Sequence, residues 1–380
     1  MRVSCHMSPP AREGQKPRIL FVLQGPHHLM LYENIFRYCT GFDWYCVLPG
    51  LSDANIADVE RFYHNYGMKV FSDTVSALAN MAAFDAVITT WAVPHRKHLP
   101  YLPFITIAQA GGIPVFEMQH GLFQLGLTYN EHAPVIGARA GAATCIAAAP
   151  NLVEERLMWF GPDSIGYPRT IGLAEDETPL PPVRRPRVTI ISNHHWAILS
   201  ESERQACYVM IETAIRSFPE VDFVLMPHGG ELKSAIFKTM LENLELQGAT
   251  HYRIENGRDG ATYDALLHDS DLLLASVSTT ILDCEMSGTP AVLLRNPSQN
   301  PLTTHLQEAV FLDTPEGLVD VIRDVLYRGY CPTLVTGYLE PFRPDRLEQR
   351  LSDAIARNPP APRSQMLAAI AIHLGPVAGA

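Results

Sequence analysis

The sequence predicts an α/β protein of two Rossmann-like domains facing each other across a cleft, and three observations carry that reading. Its 380 residues exceed one ordinary core and suit two domains of about 150–180 residues. Short apolar runs alternate with helical stretches twice over, which implies parallel sheets with right-handed crossovers. A stretch dense in Pro, Glu and Arg lies between the two series and makes a sensible linker. The chain then divides into a flexible tail over 1–16, a first domain over 17–174, a linker over 175–186, a second domain over 187–357 and a C-terminal tail over 358–380.

In the first series, Arg18–Leu23 is a buried parallel strand that runs into Gln24-Gly25-Pro26. A helix follows over Leu29–Cys39, then strands at Trp44–Leu48 and Asp85–Thr89, with a helix over Val75–Ala82 before the latter. Phe104–Ala108 fits strand or helix. Pro114–Met118 is a strand leading into Gln119-His120-Gly121; Thr144–Ala148 is a further strand and Asn151–Phe160 a helix. The second series begins with the strand Arg187–Ser192 and the amphipathic helix Glu201–Phe218. Val221–Met226 is a strand ending in Pro227-His228-Gly229-Gly230, with a helix from Glu231 to about Leu246. Tyr263–Leu267 is a short helix, Asp271–Ala275 a strand, Thr279–Ser287 a helix ended by Gly288, Ala291–Leu294 a strand and Pro315–Tyr327 a helix.

Composition removes several function classes. A formal charge of -11 argues against nucleic-acid binding, which needs a basic surface. The seven cysteines form no CxxC pair, so neither a zinc site nor a disulfide framework is expected, and a reduced, cytoplasmic setting is the natural reading. The opening residues lack the apolar core of a secretory signal, and no apolar stretch reaches spanning length. GxGxxG after the first strand, Walker A and GxSxG sequences are all missing, so no cofactor is expected. Asp269-Ser270-Asp271 matches a DxD metal motif, but Asp271 opens a strand instead of closing one, and no metal site is assigned.

Ligands of open parallel sheets bind beyond the carboxyl ends of the strands. Polar or Gly-rich residues occupy four such ends: Gln24 and Gly25; Gln119, His120 and Gly121; His228 and Gly229; and Ser276 to Thr280. In the last, a strand delivers Ser278 and Thr279 to a helix N-terminus, where exposed amides and hydroxyls suit a phosphate; N-capping by Ser278 is the plainer reading. Asp283, one turn on, can reach a ribose hydroxyl or be a solvated carboxylate. His120 can take a hydroxyl proton near neutrality, or simply bond a neighbouring carbonyl. Asn193 and His194 occupy the first strand end of the second domain and can meet a diphosphate or belong to a surface loop. Thr280 completes the set of cleft candidates.

The segment from Asp269 to Leu294, with its apolar strand, Ser278-Thr279, Asp283 and Gly288-Thr289-Pro290, resembles the C-terminal domain of GT-B glycosyltransferases. With Gln119-His120-Gly121 and Pro227-His228, the chain is similar to the surface-polysaccharide branch, which includes capsular Kdo transferases and CDP-glycerol glycerophosphotransferases. That resemblance implies a metal-independent transfer from a CMP- or CDP-linked donor to a glycan or lipid-linked hydroxyl, beside membrane polysaccharide machinery. It places Ser278, Thr279 and His228 on the donor phosphate, Asp283 near the ribose and His120 as base. Gly229 stands where the family's His-Pro motif has Pro. A nucleotide-sugar 2-epimerase of the same fold is the alternative enzyme, although Thr279-Thr280 replaces its Gly-Gly after Ser278. A non-catalytic nucleotide- or glycan-binding scaffold is the third reading.

Overall fold

The computed structural model describes residues 14–23, 26–48, 64–71, 73–90, 92, 99–121, 153, 155–169, 171, 184–194, 200–255, 260–276, 278–294, 310–359, 361 and 363–374. Gln24, Gly25, the expected strand Thr144–Ala148 and most of the 1–16 and 175–186 segments lie outside the described residues. In the first sheet the strands are β1 (Arg18–Val22), β2 (Asp43–Val47), β3 (Lys69–Val70), β4 (Ala86–Thr89), β5 (Val115–Met118) and β6 (Glu155–Leu157). Their spatial order is β3-β2-β1-β4-β5-β6, all parallel. The second sheet holds β7 (Arg187–Ser192), β8 (Asp222–Pro227), β9 (Tyr252–Ile254), β10 (Leu272–Ser276), β11 (Ala291–Leu294) and β12 (Phe311–Leu312). Its order, β12-β11-β10-β7-β8-β9, is the same winding repeated. The order in which strands are added therefore reverses once in each sheet, between β1 and β4 and between β7 and β10, and such switch points are where doubly wound sheets hold ligands.

Period-two alternation sorts the strand residues into three cores. Ile19 and Phe21 of β1 join Leu273 and Ala275 of β10 in one core shared by the two domains. Leu20 and Val22 face an outer core of the first domain, while Leu272 and Leu274 face that of the second. Burying strands on both faces explains their continuous apolar character in the sequence.

The helices of the first domain are α1 (Pro26–Leu31), α2 (Glu33–Tyr38), α3 (Thr74–Ala79) and α4 (Leu102–Ala110). Helix α4 settles the ambiguous Phe104–Ala108 run as helical. The second domain carries α5 (Glu201–Ser217), α6 (Ala235–Leu246), α7 (Gly260–Asp269), α8 (Thr280–Ser287) and α9 (Pro315–Arg328). Helix α5 opens with a reciprocal capping box between Ser200 and Glu203. Helix α8 ends, as its sequence predicts, at Gly288, whose φ of 69° is the left-handed conformation glycine adopts without a Cβ penalty.

Two stretches depart from the sequence reading. The expected helix Asn151–Phe160 is instead the strand β6 at Glu155–Leu157, paired in parallel with β5. Backbone pairing along the open edge of β5 overrides the local helical pattern, and Gly161-Pro162 stops the segment soon after. The chain also returns to the first domain after α9. Helix α10 (Pro344–Arg357) packs there: the Gly41 amide donates to Glu348 Oε1 at 2.8 Å, and Arg350 pairs with Glu155 at 3.1 Å. Within the segment read as a tail, α11 (Arg363–Leu374) seats Met366 and Ile370 in the first domain's outer core. The outgoing and returning crossovers lie side by side. Tyr167 bridges Pro341 in parallel, and its amide donates to the Glu340 carbonyl at 2.8 Å. Gly166 has a φ of 76°, and a Cβ built there would sit 1.9 Å from the Pro341 carbonyl oxygen, so only glycine permits this approach.

Candidate functional site

In the second domain, the ends of β7, β8 and β10 converge. Asn193 and His194 follow β7. The His194 ring is 1% exposed and its Nε2 lies 2.8 Å from Ser276 Oγ, the last residue of β10, so this contact spans the switch point of the sheet. Ser276 Oγ also accepts the Asn193 amide at 3.1 Å. On its other side, His194 Nδ1 lies 3.4 Å from Glu231 Oε1. Burial opposes the charge on His194, but Cys207 and Glu231 outweigh it and raise its pKa to about 9. Burial likewise opposes the Glu231 carboxylate, and His194 and Tyr208 lower it to about 2.

Next to this pair, β8 runs into His228-Gly229-Gly230. The Gly230 amide donates to His228 Nδ1 at 3.1 Å, which puts the proton of the neutral ring on Nε2. Although His228 is exposed, partial desolvation lowers its pKa and favours the neutral ring. Gly229 is exposed, with open space around it.

Beyond β10, Ser278 Oγ accepts the Thr280 amide at 3.3 Å and lies 2.7 Å from Thr280 Oγ1. Ser278 therefore holds the first amide of α8 from one residue before the N-cap. Thr279 is the N-cap residue and its side chain caps no amide. A hydroxyl-rich helix N-terminus thus stands beside a buried histidine and a neutral histidine donor. That combination suits the oxygens of a phosphate or diphosphate.

Asp283 departs from its expected ribose contact. It is 3% exposed, and its carboxylate accepts the Tyr167 hydroxyl at 2.9 Å, the Tyr263 hydroxyl at 2.9 Å and Arg169 Nη1 at 2.6 Å. The Arg169 guanidinium also bonds Asp264 and stacks 4.8 Å over the Tyr263 ring. The sequence reading missed this because Tyr167 and Arg169 lie 116 and 114 positions away, on the far side of the linker. Asp283 ties α8 to the segment that leaves the first domain. The DxD-like pair is equally committed: Arg184 grips Asp271 through two bonds of 3.0 Å, and Arg187 approaches Asp269 at 3.7 Å. Among the described residues no group of three metal-ligating side chains occurs.

In the first domain, His120 follows β5 and lies edge-on to His28 of α1, with ring centroids 5.6 Å apart. His28 is 2% exposed and approaches the Tyr32 ring, whose hydroxyl donates to the Gln119 carbonyl at 2.8 Å. The Gln119 side chain braces the turn: its amide donates to the Gly121 carbonyl at 3.3 Å and its oxygen accepts the Trp159 amide at 2.9 Å. Trp159 packs on Tyr167, with centroids 5.0 Å apart, and Tyr167 reaches Asp283. An unbroken chain of contacts therefore links the His120 turn to the first turn of α8, so both candidate clusters border the same seam. Within β5, three residues before His120, burial raises the Glu117 carboxyl to about 7, against the opposing Ala92 amide and Arg156. Neither Glu117 nor Glu231 was singled out from the sequence, where a strand glutamate and a helix-start glutamate carry no distinguishing pattern.

No protein-family model matches the chain, and no curated protein is significantly similar to it in sequence. Solved structures are similar in fold. The UDP-GlcNAc 2-epimerase of Neisseria meningitidis bound to UDP-GlcNAc aligns over 90% of this chain and 100% of its own, with a TM-score of 0.56 and 10% identity. The Methanocaldococcus jannaschii UDP-GlcNAc 2-epimerase in complex with UDP-GlcNAc and UDP gives a TM-score of 0.57 and 11% identity, over 88% of this chain and 99% of its own. The UDP-N-acetylglucosamine 2-epimerase of Rickettsia bellii gives 0.57 and 11%, over 90% and 97%. These likenesses concern architecture and do not extend to the capsular Kdo or CDP-glycerol branch. The chain has the GT-B-like fold, two Rossmann-type domains closed on each other by a shared core.

Proposed function

We propose that this protein is an enzyme acting on a nucleotide-diphosphate sugar, breaking the bond between the anomeric carbon and the diphosphate. One observation carries the reading: His194 and Ser276 meet across the β7–β10 switch point, flanked by His228, Ser278 and Thr279. These groups would bind the diphosphate and stabilise the negative charge that grows on it as the bond breaks. His120, with His28 beside it, would move the proton on the sugar side.

Two reactions share that bond cleavage. In 2-epimerisation, a base removes the proton at sugar C2 as the diphosphate leaves C1, and readdition delivers a proton to the other face. The fold neighbours, named as UDP-GlcNAc 2-epimerases, favour this reading over transfer. In the second reading, His120 takes the proton of an acceptor hydroxyl, which then attacks C1; the Gln119-His120-Gly121 turn is the feature that favours it. The nucleotide base is an open variable in both, with UDP suggested by the neighbours and CDP by the sequence resemblance; a CMP-linked donor, which carries one phosphate, falls outside this reading.

The deciding experiment is incubation with UDP-GlcNAc and with CDP- and GDP-sugars in D2O, followed by NMR. Deuterium at sugar C2 supports epimerisation. Slow release of nucleotide and sugar without exchange at C2 supports a transferase lacking its acceptor. No turnover, together with no thermal stabilisation by any nucleotide, overturns the proposal.

A further inference from the structure

Glu231 lies at the centre of the second domain's strand ends although its own side chain has no exposed surface. It is 0% exposed, in a single helical turn over Glu231–Lys233. Four groups converge on its carboxylate. Tyr208 of α5 donates its hydroxyl to Oε1 at 2.6 Å, and Ser192 of β7 donates to Oε2 at 3.0 Å. The His228 backbone amide donates to the same Oε2 at 2.9 Å, and His194 Nδ1 lies 3.4 Å from Oε1. We infer that Glu231 is a positioning residue for the phosphate cradle: it fixes the His194 ring against Ser276 and the His228 turn against β7, so that three strand ends present one rigid set of donors. The inference rests on the nucleotide-sugar reading above and names the residue that organises its diphosphate site.

A buried carboxylate is costly unless charge and hydrogen bonds compensate it. Here hydroxyl and amide donors supply the hydrogen bonds and the imidazole at 3.4 Å supplies the charge, which is more than a helix start requires. In return the carboxylate makes the imidazolium the favoured form of His194. Protonated, that ring donates from Nδ1 toward Glu231 and from Nε2 to Ser276 Oγ, and it lays a positive charge under the site. The other groups facing the pair are Cys207 and Tyr208 from α5, the latter ring edge-on to His194 at 5.3 Å, and His228 at the end of β8. Desolvation lowers the His228 pKa, so that ring is held in its neutral form beside the pair.

The test uses the full chain with histidine-selective 15N labelling, the His194 resonances being identified by their loss in His194→Asn, and UDP, CDP and GDP as binding probes by calorimetry. In the wild type, His194 is expected to remain an imidazolium to pH 8. In Glu231→Gln its titration midpoint is expected to fall below 7.5, and affinity for the preferred nucleotide to weaken at least tenfold. Glu231→Asp keeps the charge and withdraws it by one methylene; it is expected to lie between the two, and it carries the test if Glu231→Gln does not fold. An unshifted His194 titration, or wild-type nucleotide affinity in a folded Glu231 variant, overturns the positioning role alone. A wild-type protein that binds none of the three nucleotides overturns the donor reading and this inference with it.

Discussion

Replacing Asp283 by Ala separates the interdomain tie from the ribose contact that the sequence suggested. The carboxylate accepts two buried phenol hydroxyls and one arm of Arg169, whose side chain is 10% exposed. Each stranded buried hydroxyl costs about 1–3 kcal/mol. Arg169 retains Asp264, so its loss falls toward the lower end of the roughly 3–5 kcal/mol for breaking a buried pair. Because three donors share one acceptor, these costs overlap, and a working figure is about 4 kcal/mol. That is a large part of the 5–15 kcal/mol typical of a folded domain. Urea unfolding followed by tryptophan fluorescence measures it, since Trp159 packs on Tyr167 at the same seam. Asp283→Asn retains one oxygen acceptor and is expected to lose about half as much. A loss below about 1 kcal/mol for Asp283→Ala, with nucleotide affinity reduced instead, would refute the tie and restore the ribose role.

Three further outcomes follow from the geometry. The raised His194 pKa contributes stability that is complete below its ordinary 6.5 and lost as pH rises through about 9. The lowered Glu231 pKa contributes stability that is complete above its ordinary 4.5 and lost as pH falls through about 2. Thermal melts should therefore show the wild type's advantage over Glu231→Gln at its greatest between pH 4.5 and 6.5, narrowing toward pH 9; an advantage independent of pH would contradict the ion pair. Gly166→Ala should lose well over 2 kcal/mol in urea unfolding, because left-handed backbone alone costs about 1–2 kcal/mol and the new Cβ meets the Pro341 carbonyl. Gly248→Ala, with a φ of 73° and open space around it, isolates the backbone share and should lose only that. Truncation after residue 361 removes α11 with Met366 and Ile370, and should lower stability by about 3–6 kcal/mol at 1.5–3 kcal/mol per buried side chain; no change would return 358–380 to the status of a tail.

What the sequence discloses about this molecule follows the range of the forces involved. The strands β1, β7, β8 and β10 are legible because burial on both faces writes an apolar run into consecutive residues, and α8 because Gly288 marks its end. β6 is not legible: its three residues are a strand only because β5 offers an open edge. The candidate site divides along the same line. His120, His194, His228 and Ser278 stand at strand ends and can be read from their neighbours. Glu231 cannot, since its partners come from β7, α5 and the end of β8, and a lone glutamate after two glycines looks like an ordinary helix start. Asp283 is the instructive case, for it sits where a helix carboxylate would meet a ribose, yet Tyr167 and Arg169 claim it from the other side of the linker. A ligand-facing position and a domain-locking position have the same local sequence, and only the long-range partner distinguishes them. That carboxylate holds α8 against the first domain, so the rigidity of the Ser278–Thr280 turn depends on residues on both sides of the seam.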